Sequence, residues 1–242
     1  MSHRSEALQE ADRLMTVCNS CRYCEGLCAV FPAMEMRRAF TDGDLNYLAN
    51  LCHSCGACYY DCQFSPPHEF NVNVPRKLAT VRNDSYADYA WPRALSGLFR
   101  RNGLAVTFAA VLSVGLFMAG FMAFNDPAVM FGTHLGEGAF YRIMPHDAMI
   151  ALFGSAFLYA LLALFMGLRA FWREMAVNGP QLPDGMSLWQ AMKDAGQLRY
   201  LDGGGVGCMN ADERPKDRRR MFHHMTFYGF MLCFAATSVA TL

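Results

Sequence analysis

Three stretches of the chain carry no charged residue: residues 103–124, 148–168 and 222–242. Each reaches the roughly 20 residues that a helix needs to cross a hydrocarbon core of about 30 Å. Helices on the surface of soluble proteins normally keep a polar face with charged residues. These stretches have no charged residue on any face. The pattern therefore predicts three membrane spans, and the alternative is a set of buried helices in a large soluble core.

Basic residues around the predicted spans indicate their orientation. The connection from 125 to 147 contains one, Arg142, whereas the connection from 169 to 221 contains nine. Three more arginines shortly precede the first span: Arg93, Arg100 and Arg101. Because lysine and arginine favour the cytoplasmic side of short loops, we expect the first 100 residues and the loop 169–221 to be cytoplasmic. The expected location is the inner (cytoplasmic) membrane, with several spans.

The beginning and the end of the chain add two expectations. Residues 1–14 contain no apolar run that resembles a signal peptide. The third predicted span ends at Leu242 without a polar or aromatic flank to anchor it. We expect from this that further helices follow in a longer protein, and the alternative is a span that ends there with a short tail.

Composition narrows the classes of partner. The chain is 53% hydrophobic and 17% charged, and its formal net charge is zero. This is more apolar than a typical soluble domain. The arginine cluster at 218–220 lacks interleaved aromatic residues, so membrane topology explains it better than nucleic-acid binding. We expect membrane lipid, and no nucleic acid, among the partners.

Eight of the ten cysteines form two runs with the same spacing, C-x2-C-x2-C-x3-C. In proteins with two [4Fe–4S] clusters, three cysteines of such a run bind one cluster and the fourth binds the other. The spacing thus predicts two clusters. The first has the ligands Cys18, Cys21, Cys24 and Cys62, and the second has the ligands Cys52, Cys55, Cys58 and Cys28.

Disulfides and structural zinc are the alternatives for these cysteines. Disulfides suit exported domains, whereas the predicted topology places these thiols in a reducing compartment. Zinc sites usually combine two C-x2-C pairs across a longer loop. One departure from the cluster pattern is that Ala29 and Gln63 stand where a proline usually follows the fourth cysteine.

The segment between the two cysteine runs predicts helical structure. Leu45, Leu48 and Leu51 have helical spacing, and Thr41 or Asp42 is placed to cap this helix. Pro75 suits the first turn of another helix. We expect a mainly α fold, with a helical ferredoxin-type domain for two [4Fe–4S] clusters in residues 1–90 and a transmembrane helical domain in residues 91–242.

Four segments resemble the tricarballylate (citrate) utilisation protein B family over essentially the whole chain: CRYCEGLCAVFPAME, DLNYLANLCHSCGAC, PPHEFNVNVPR and RRRMFHHMTFYGFMLCFAATS. The resemblance implies a membrane-bound electron carrier with iron–sulfur clusters and a cytochrome b-like membrane domain that binds haem b. It also implies that electrons pass from a soluble FAD-containing tricarballylate dehydrogenase to the quinone pool, and that members continue past Leu242 with further helices.

Elementary redox chemistry favours the same role. A dihydroflavin holds two electrons and a cluster accepts one at a time, so two neighbouring clusters provide a sequential path to a lipid-soluble acceptor such as quinone. No catalytic pair or nucleophile stands out, so the chain is an electron-transfer subunit rather than a complete enzyme. The alternatives are an iron–sulfur and haem subunit of another flavoprotein complex, heterodisulfide-reductase-like or fumarate-reductase-like, and a non-redox membrane scaffold that binds zinc.

Three histidines at span edges are the candidate axial ligands of haem: His146, His223 and His224. His146 begins the second span on the outer side, and the pair begins the third span on the inner side. These levels are about 30 Å apart, so the two sets cannot share one iron in this topology. The alternative is that all three are interfacial residues. For docking of the flavoprotein, Arg37 and Arg38 are the first residues to consider.

Overall fold

A computed structural model describes residues 3–175, 184–199 and 218–241, and within these residues the chain forms helices and no strand. The first helices are α1 (Glu6–Cys21), α2 (Val30–Glu35), α3 (Asp42–Leu51), α4 (Ala57–Tyr60) and α5 (Val74–Asp88). A 3-10 helix (Arg93–Arg101) then leads into α6 (Asn102–Phe124), α7 (Pro127–Met130), α8 (Ala139–Ile143), α9 (His146–Met175), α10 (Gly185–Gly196) and α11 (Arg218–Thr241). The predicted mainly helical class is confirmed.

The chain divides into two compact units. One contains Met1–Ser85 together with Phe171–Leu242, and the other contains Tyr86–Ala170. The cysteine runs lie in the first of these units. The predicted domain boundary at residue 90 stays a prediction.

Helix α1 ends beside the first cysteines. Ser5 caps its start, since the Ser5 side chain accepts a hydrogen bond from the N–H of Leu8 at 3.2 Å. Arg22 ends it in the left-handed conformation, with φ of 54°, and donates its N–H to the carbonyl of Cys18 at 2.8 Å. The last turn of α1 therefore fixes the positions of Cys18 and Cys21.

Helix α3 begins with a capping box. Thr41 Oγ1 accepts from the N–H of Asp44 at 3.2 Å, and Asp44 Oδ2 accepts from the N–H of Thr41 at 3.0 Å. Of the two predicted caps, Thr41 is the one observed. The helix runs to Leu51 and leads directly into Cys52, and Pro75 lies in the first turn of α5, so both predicted helices are confirmed.

Apolar side chains from α1, α2, α3 and α5 form one core under the cysteine loops. Its largest fully buried members are Leu14, Met15, Phe31, Met34, Leu45, Leu48, Leu78 and Val81. Complete burial of such a side chain contributes about 1.5–3 kcal/mol. This core makes the cluster-bearing loops part of a packed domain, although the segment between α4 and α5 has no regular structure.

The first two predicted spans fall within α6 and α9. The most apolar 18-residue window of each has a mean hydropathy of 2.2, and none of its residues is buried. Both helices are therefore long and apolar enough to cross a membrane. Helix α11 covers most of the third predicted span, but it does not pass the same test over the described residues, so that span stays a prediction.

The last turn of α9 contacts the beginning of the cluster-bearing domain. Arg4 forms ion pairs with Glu174 and, at 2.8 Å, with Asp42. Gly43 lies so close to the Glu174 backbone that a Cβ atom at this position would overlap the Glu174 carbonyl. A glycine is therefore needed where α3 meets this turn.

An ion pair joins the turn after α2 to α3. Asp44 is 3% exposed, and its Oδ1 accepts from Arg37 Nε at 2.5 Å. Arg37 also donates to the carbonyl of Ala33 at 2.5 Å and lies over the ring of Tyr47. Because one carboxylate both closes the capping box and neutralises Arg37, removing it leaves Arg37 without its counter-ion and the N–H of Thr41 without its side-chain acceptor.

We expect Asp44→Ala to lower the free energy of unfolding by about 3 kcal/mol, because Arg37 loses its counter-ion and α3 loses the half of its capping box that the Asp44 side chain supplies. Urea unfolding of the purified chain in detergent, followed by circular dichroism, measures this. Asp84→Ala, on the exposed side of α5, is the matched control and should change stability by less than about 0.5 kcal/mol. Equal losses of unfolding free energy in Asp44→Ala and Asp84→Ala would contradict the stabilising role of Asp44.

Candidate metal centres

The first cavity is lined by three cysteines of the first run and the last cysteine of the second: Cys18, Cys21, Cys24 and Cys62. It measures about 340 Å³ with its open mouth, and its apolar wall includes Val17, Phe31, Phe64 and Val72. The last turn of α1 supplies Cys18 and Cys21. The loop after α4 supplies Cys62. The fold thus brings together the four residues predicted for the first cluster.

The second cavity is lined by the complementary set: Cys28, Cys52, Cys55 and Cys58. It measures about 520 Å³ with its open mouth, and Leu27, Val30, Phe31, Leu51 and Val74 form its apolar wall. Gly56 has a φ of 84° and caps the start of α4. Only glycine takes this conformation readily, and it lets the chain turn between Cys55 and Cys58.

Phe31 separates the two cavities. Its side chain is 2% exposed and contributes to both cavity walls. It lies on α2, which directly follows the crossing cysteine Cys28. Sequence reasoning missed this role, because nothing in the pattern distinguishes Phe31 from the other apolar residues between the cysteine runs.

The thiols in the first cavity are held in an environment that opposes ionisation. Burial raises the pKa of Cys18 to about 12, and the neighbouring charges of Cys24, Cys62 and Cys21 add to the effect. Burial and the charge of Cys62 likewise raise the pKa of Cys24 to about 11. Four thiolates at this place are therefore unfavourable unless a strongly positive group compensates them.

The environment of the second cavity also opposes ionisation of its thiols. Burial raises the pKa of the thiols of Cys28, Cys52 and Cys58. For Cys58 the charges of Cys28 and Cys52 are the next causes. An iron–sulfur core bound by four thiolates supplies the compensating positive charge, so the donor set fits such a group.

A single metal ion fits less well. In a tetrahedral zinc site the sulfurs lie about 2.3 Å from the ion and thus about 3.8 Å from each other. Across the described residues, no group of three or more His, Cys, Asp or Glu side chains converges on a point where one ion could sit. The cysteines line the walls of cavities instead, as a wider cluster requires.

Disulfides are not formed in the described part of the chain. The eight cysteines of the two runs are free thiols, and so is Cys233 on α11. Cys208 lies outside the described residues.

Polar groups near the sulfurs differ between the cavities. Ser54 donates its N–H to Cys52 Sγ at 3.4 Å, and Gln63 Nε2 lies 3.8 Å from Cys21 Sγ. Arg82 donates to the carbonyl of Cys52 at 2.5 Å. Sequence reasoning missed Arg82, which is separated from Cys52 by thirty positions. His53, which directly follows Cys52, also lines the second cavity.

The candidate haem histidines lie in different surroundings. His146 begins α9 and packs edge-on against Tyr141, with the ring centroids 5.4 Å apart. His223 is exposed on α11. His224 stacks on Tyr228, and its Nε2 lies 3.3 Å from the carbonyl oxygen of Gly196 at the end of α10. His224 also lines an open cavity together with Gly196, Arg220 and Tyr228.

Arg37 is partly exposed, and its guanidinium is engaged by Asp44 and the carbonyl of Ala33. Its neighbour Arg38 is exposed. Docking of a flavoprotein near these two residues stays a prediction.

Comparison with known proteins first identifies the class of domain that carries the cysteines. Residues 11–88 match a Fer4-like domain, the ferredoxin-type class that the paired cysteine cavities indicate. This domain is the one described for citrate utilization protein B, and residues 97–242 match a second family model described as citrate utilization protein B. The chain therefore belongs to the citrate utilization protein B family, as the four segments indicated.

A curated relative agrees with this assignment. Citrate utilization protein B of Escherichia coli is 49% identical over 238 residues, an alignment that covers 98% of this chain and 61% of the relative. The chain thus spans 61% of the length of that relative. No solved structure matches the chain significantly.

The crossed cavities predict which cysteine variants behave alike. We expect Cys62→Ser to alter the same cluster signal in electron paramagnetic resonance (EPR) spectra as Cys18→Ser, because both cysteines line the first cavity. Cys28→Ser should instead group with Cys55→Ser. Spectra of the dithionite-reduced variants test this, and Cys233→Ser is the control that should match the wild type. If Cys28→Ser grouped with Cys18→Ser, each run would bind its own cluster, and the crossed assignment would be wrong.

Proposed function

We propose that this chain is a membrane-bound electron-transfer protein that reoxidises a reduced flavoprotein through two [4Fe–4S] clusters and passes the electrons to the quinone pool. One observation carries the proposal: two separate cavities are each lined by three cysteines of one run and the fourth of the other. This is the ligand pattern of a protein with two clusters.

The ligands follow from the cavity walls. Cys18, Cys21, Cys24 and Cys62 would bind one cluster, and Cys28, Cys52, Cys55 and Cys58 would bind the other. When bound, each cluster supplies one-electron redox chemistry. The chain's own residues hold the thiolates in place, keep most water out through apolar walls, and separate the two sites by the ring of Phe31.

Membrane attachment is supported by α6 and α9. Their apolar side chains are unburied, which is costly in water and favourable in lipid. We propose the inner membrane, with the cluster domain on the cytoplasmic side, because the connection after α9 carries nine basic residues and the one before it carries one. The contact of Arg4 with Glu174 supports the proposal that the end of α9 lies on the cytoplasmic side, as the cluster domain does.

The partners follow from chemistry and from the relative's name. A soluble FAD-containing dehydrogenase would be the donor, and quinone dissolved in the membrane would be the acceptor. Citrate utilization is what the relative's name states, and we extend it to tricarballylate, a similar tricarboxylic acid, from the resemblance. Tyr23, next to Cys24, is 69% exposed, so the first cavity lies near the surface that a donor would approach.

Haem b, with His146, His223 and His224 as candidate ligands, stays a prediction that rests on the resemblance. In the structure the Nε2 atom of His224 lies 3.3 Å from the carbonyl oxygen of Gly196. We therefore assign no step of electron transfer to haem.

The proposal is tested by iron and sulfide analysis of the anaerobically purified chain, with optical and EPR spectra before and after dithionite. We expect about eight irons and about eight sulfides per chain, since each of two [4Fe–4S] clusters contains four of each. Zinc without sulfide would contradict it. A reduced haem band in the optical spectrum would add haem to the path.

Electron transfer itself is tested with Cys55→Ser. We expect this variant to lose one cluster and to lose most quinone reduction by the reduced flavoprotein, because the path is interrupted. Quinone reduction is followed optically under anaerobic conditions, with Cys233→Ser as the control. Unchanged activity in Cys55→Ser would show that the clusters are not on the path.

Insertion of α6 is tested at Leu112, which is 61% exposed. In water an arginine at such a position is nearly neutral, but at the centre of a span it costs about 2.5–3.5 kcal/mol. We expect Leu112→Arg to lower the carbonate-resistant membrane fraction several-fold. Leu95→Arg, on the 3-10 helix before α6 and 47% exposed, is the matched control. Equal membrane fractions in the two variants would contradict a span at α6.

A further inference from the structure

Charged residues of opposite sign lie near the two cavities. At the second cavity, Arg82 on α5 donates to the carbonyl of Cys52 at 2.5 Å and to Ser54 Oγ at 3.0 Å. At the first cavity, the carboxylate residue Asp61 directly precedes Cys62, one of the cysteines in the cavity wall.

Hydrogen-bond donors to the cysteine sulfurs also differ between the two cavities. In the second cavity, the N–H of Ser54 donates to Cys52 Sγ at 3.4 Å. Ser54 has a φ of 52°, a left-handed conformation that is uncommon for serine. Arg82 binds both ends of this turn, at Cys52 and Ser54, and so holds the N–H in place.

The first cavity has weaker donors. Gln63 Nε2 lies 3.8 Å from Cys21 Sγ, and Gln63 is exposed. Arg22 follows Cys21 directly but donates to the carbonyl of Asn19 at 3.1 Å. The positive charge and the stronger donors therefore lie at the second cavity.

Positive charge and N–H donors near the sulfurs favour the reduced, more negative form of a cluster, and a carboxylate disfavours it. We propose that Arg82 is a positioning residue that raises the reduction potential at the second cavity, so that an electron entering at the first cavity comes to rest at the second before it leaves the domain. This inference rests on the proposed function. In each transfer the first site is oxidised and the second reduced by one electron, and a two-electron flavin donor is emptied in two such transfers.

The decisive experiment is an EPR-monitored redox titration of the purified full chain in detergent. We expect Arg82→Gln to lower the midpoint potential of the second-cavity cluster and to leave the other unchanged. Arg82→Lys should keep most of the wild-type potential, because the charge remains. Arg76→Gln removes the same charge from an exposed position of the same helix and should change neither potential.

The two signals are assigned with the Cys62→Ser and Cys55→Ser variants, each of which alters one cluster. In the wild type at one electron per chain, we expect the reduced signal to be the one that Cys55→Ser alters. Unchanged potentials in Arg82→Gln, equal shifts of both clusters, or an equal shift in Arg82→Lys would each overturn the inference.

A second variant decides the question if Arg82→Gln fails to assemble its cluster. Asp61→Asn removes the negative charge next to Cys62 without touching Arg82, and it should raise the potential of the first-cavity cluster alone. An unchanged potential of the first-cavity cluster in Asp61→Asn would overturn the inference. Wild-type protein without clusters would overturn the proposed function and this inference together, whereas intact clusters with unchanged potentials overturn only the inference.

Discussion

The cost of ionising partly buried cysteine thiols is the constraint on which the cluster domain depends. Burial and neighbouring sulfur charges raise the pKa of Cys18 to about 12 and that of Cys24 to about 11. A protein can hold such a set ionised only around a strongly positive group, and it can hold two sets only if they are kept apart. The core of α1, α2, α3 and α5 keeps both sets in place, and Phe31 stands between them.

The same packing explains how a small domain combines rigidity with an exposed redox site. The loops that carry the cysteines have little regular structure, yet helix ends fix them: Cys18 and Cys21 on the last turn of α1, and Cys52 directly after α3. Arg82 and Ser54 then order the loop between Cys52 and Cys55. The sites remain near the surface, since Tyr23 beside Cys24 is largely exposed. Electron transfer requires this proximity, because a partner must approach without entering the core.

The apolar helices α6 and α9 expose their apolar side chains, whereas the cluster domain buries its own. In α6 and α9 the side chains that would form the core of a soluble protein face outward, and the most apolar window of each has no buried residue. In the proposed function, lipid would provide the burial that the described residues do not. Arg4 and Gly43 bring the cluster domain against the last turn of α9 at Glu174, so the redox domain and the end of an apolar helix are joined by direct contacts as well as by the chain.

The sequence by itself determined the helical class, the first two long apolar helices, a cap at Thr41 or Asp42 and the two runs of four cysteines, because spacing along one chain encodes all four. The choice of Thr41 as the cap, the two cavities, the shared wall at Phe31 and the contact of Arg82 with Cys52 were decided only by tertiary structure. These contacts join residues on different helices, and one apolar or basic residue looks like another until the chain is folded. For the same reason the contacts of Arg37 with Asp44 and of His224 with Gly196 were not visible in the sequence.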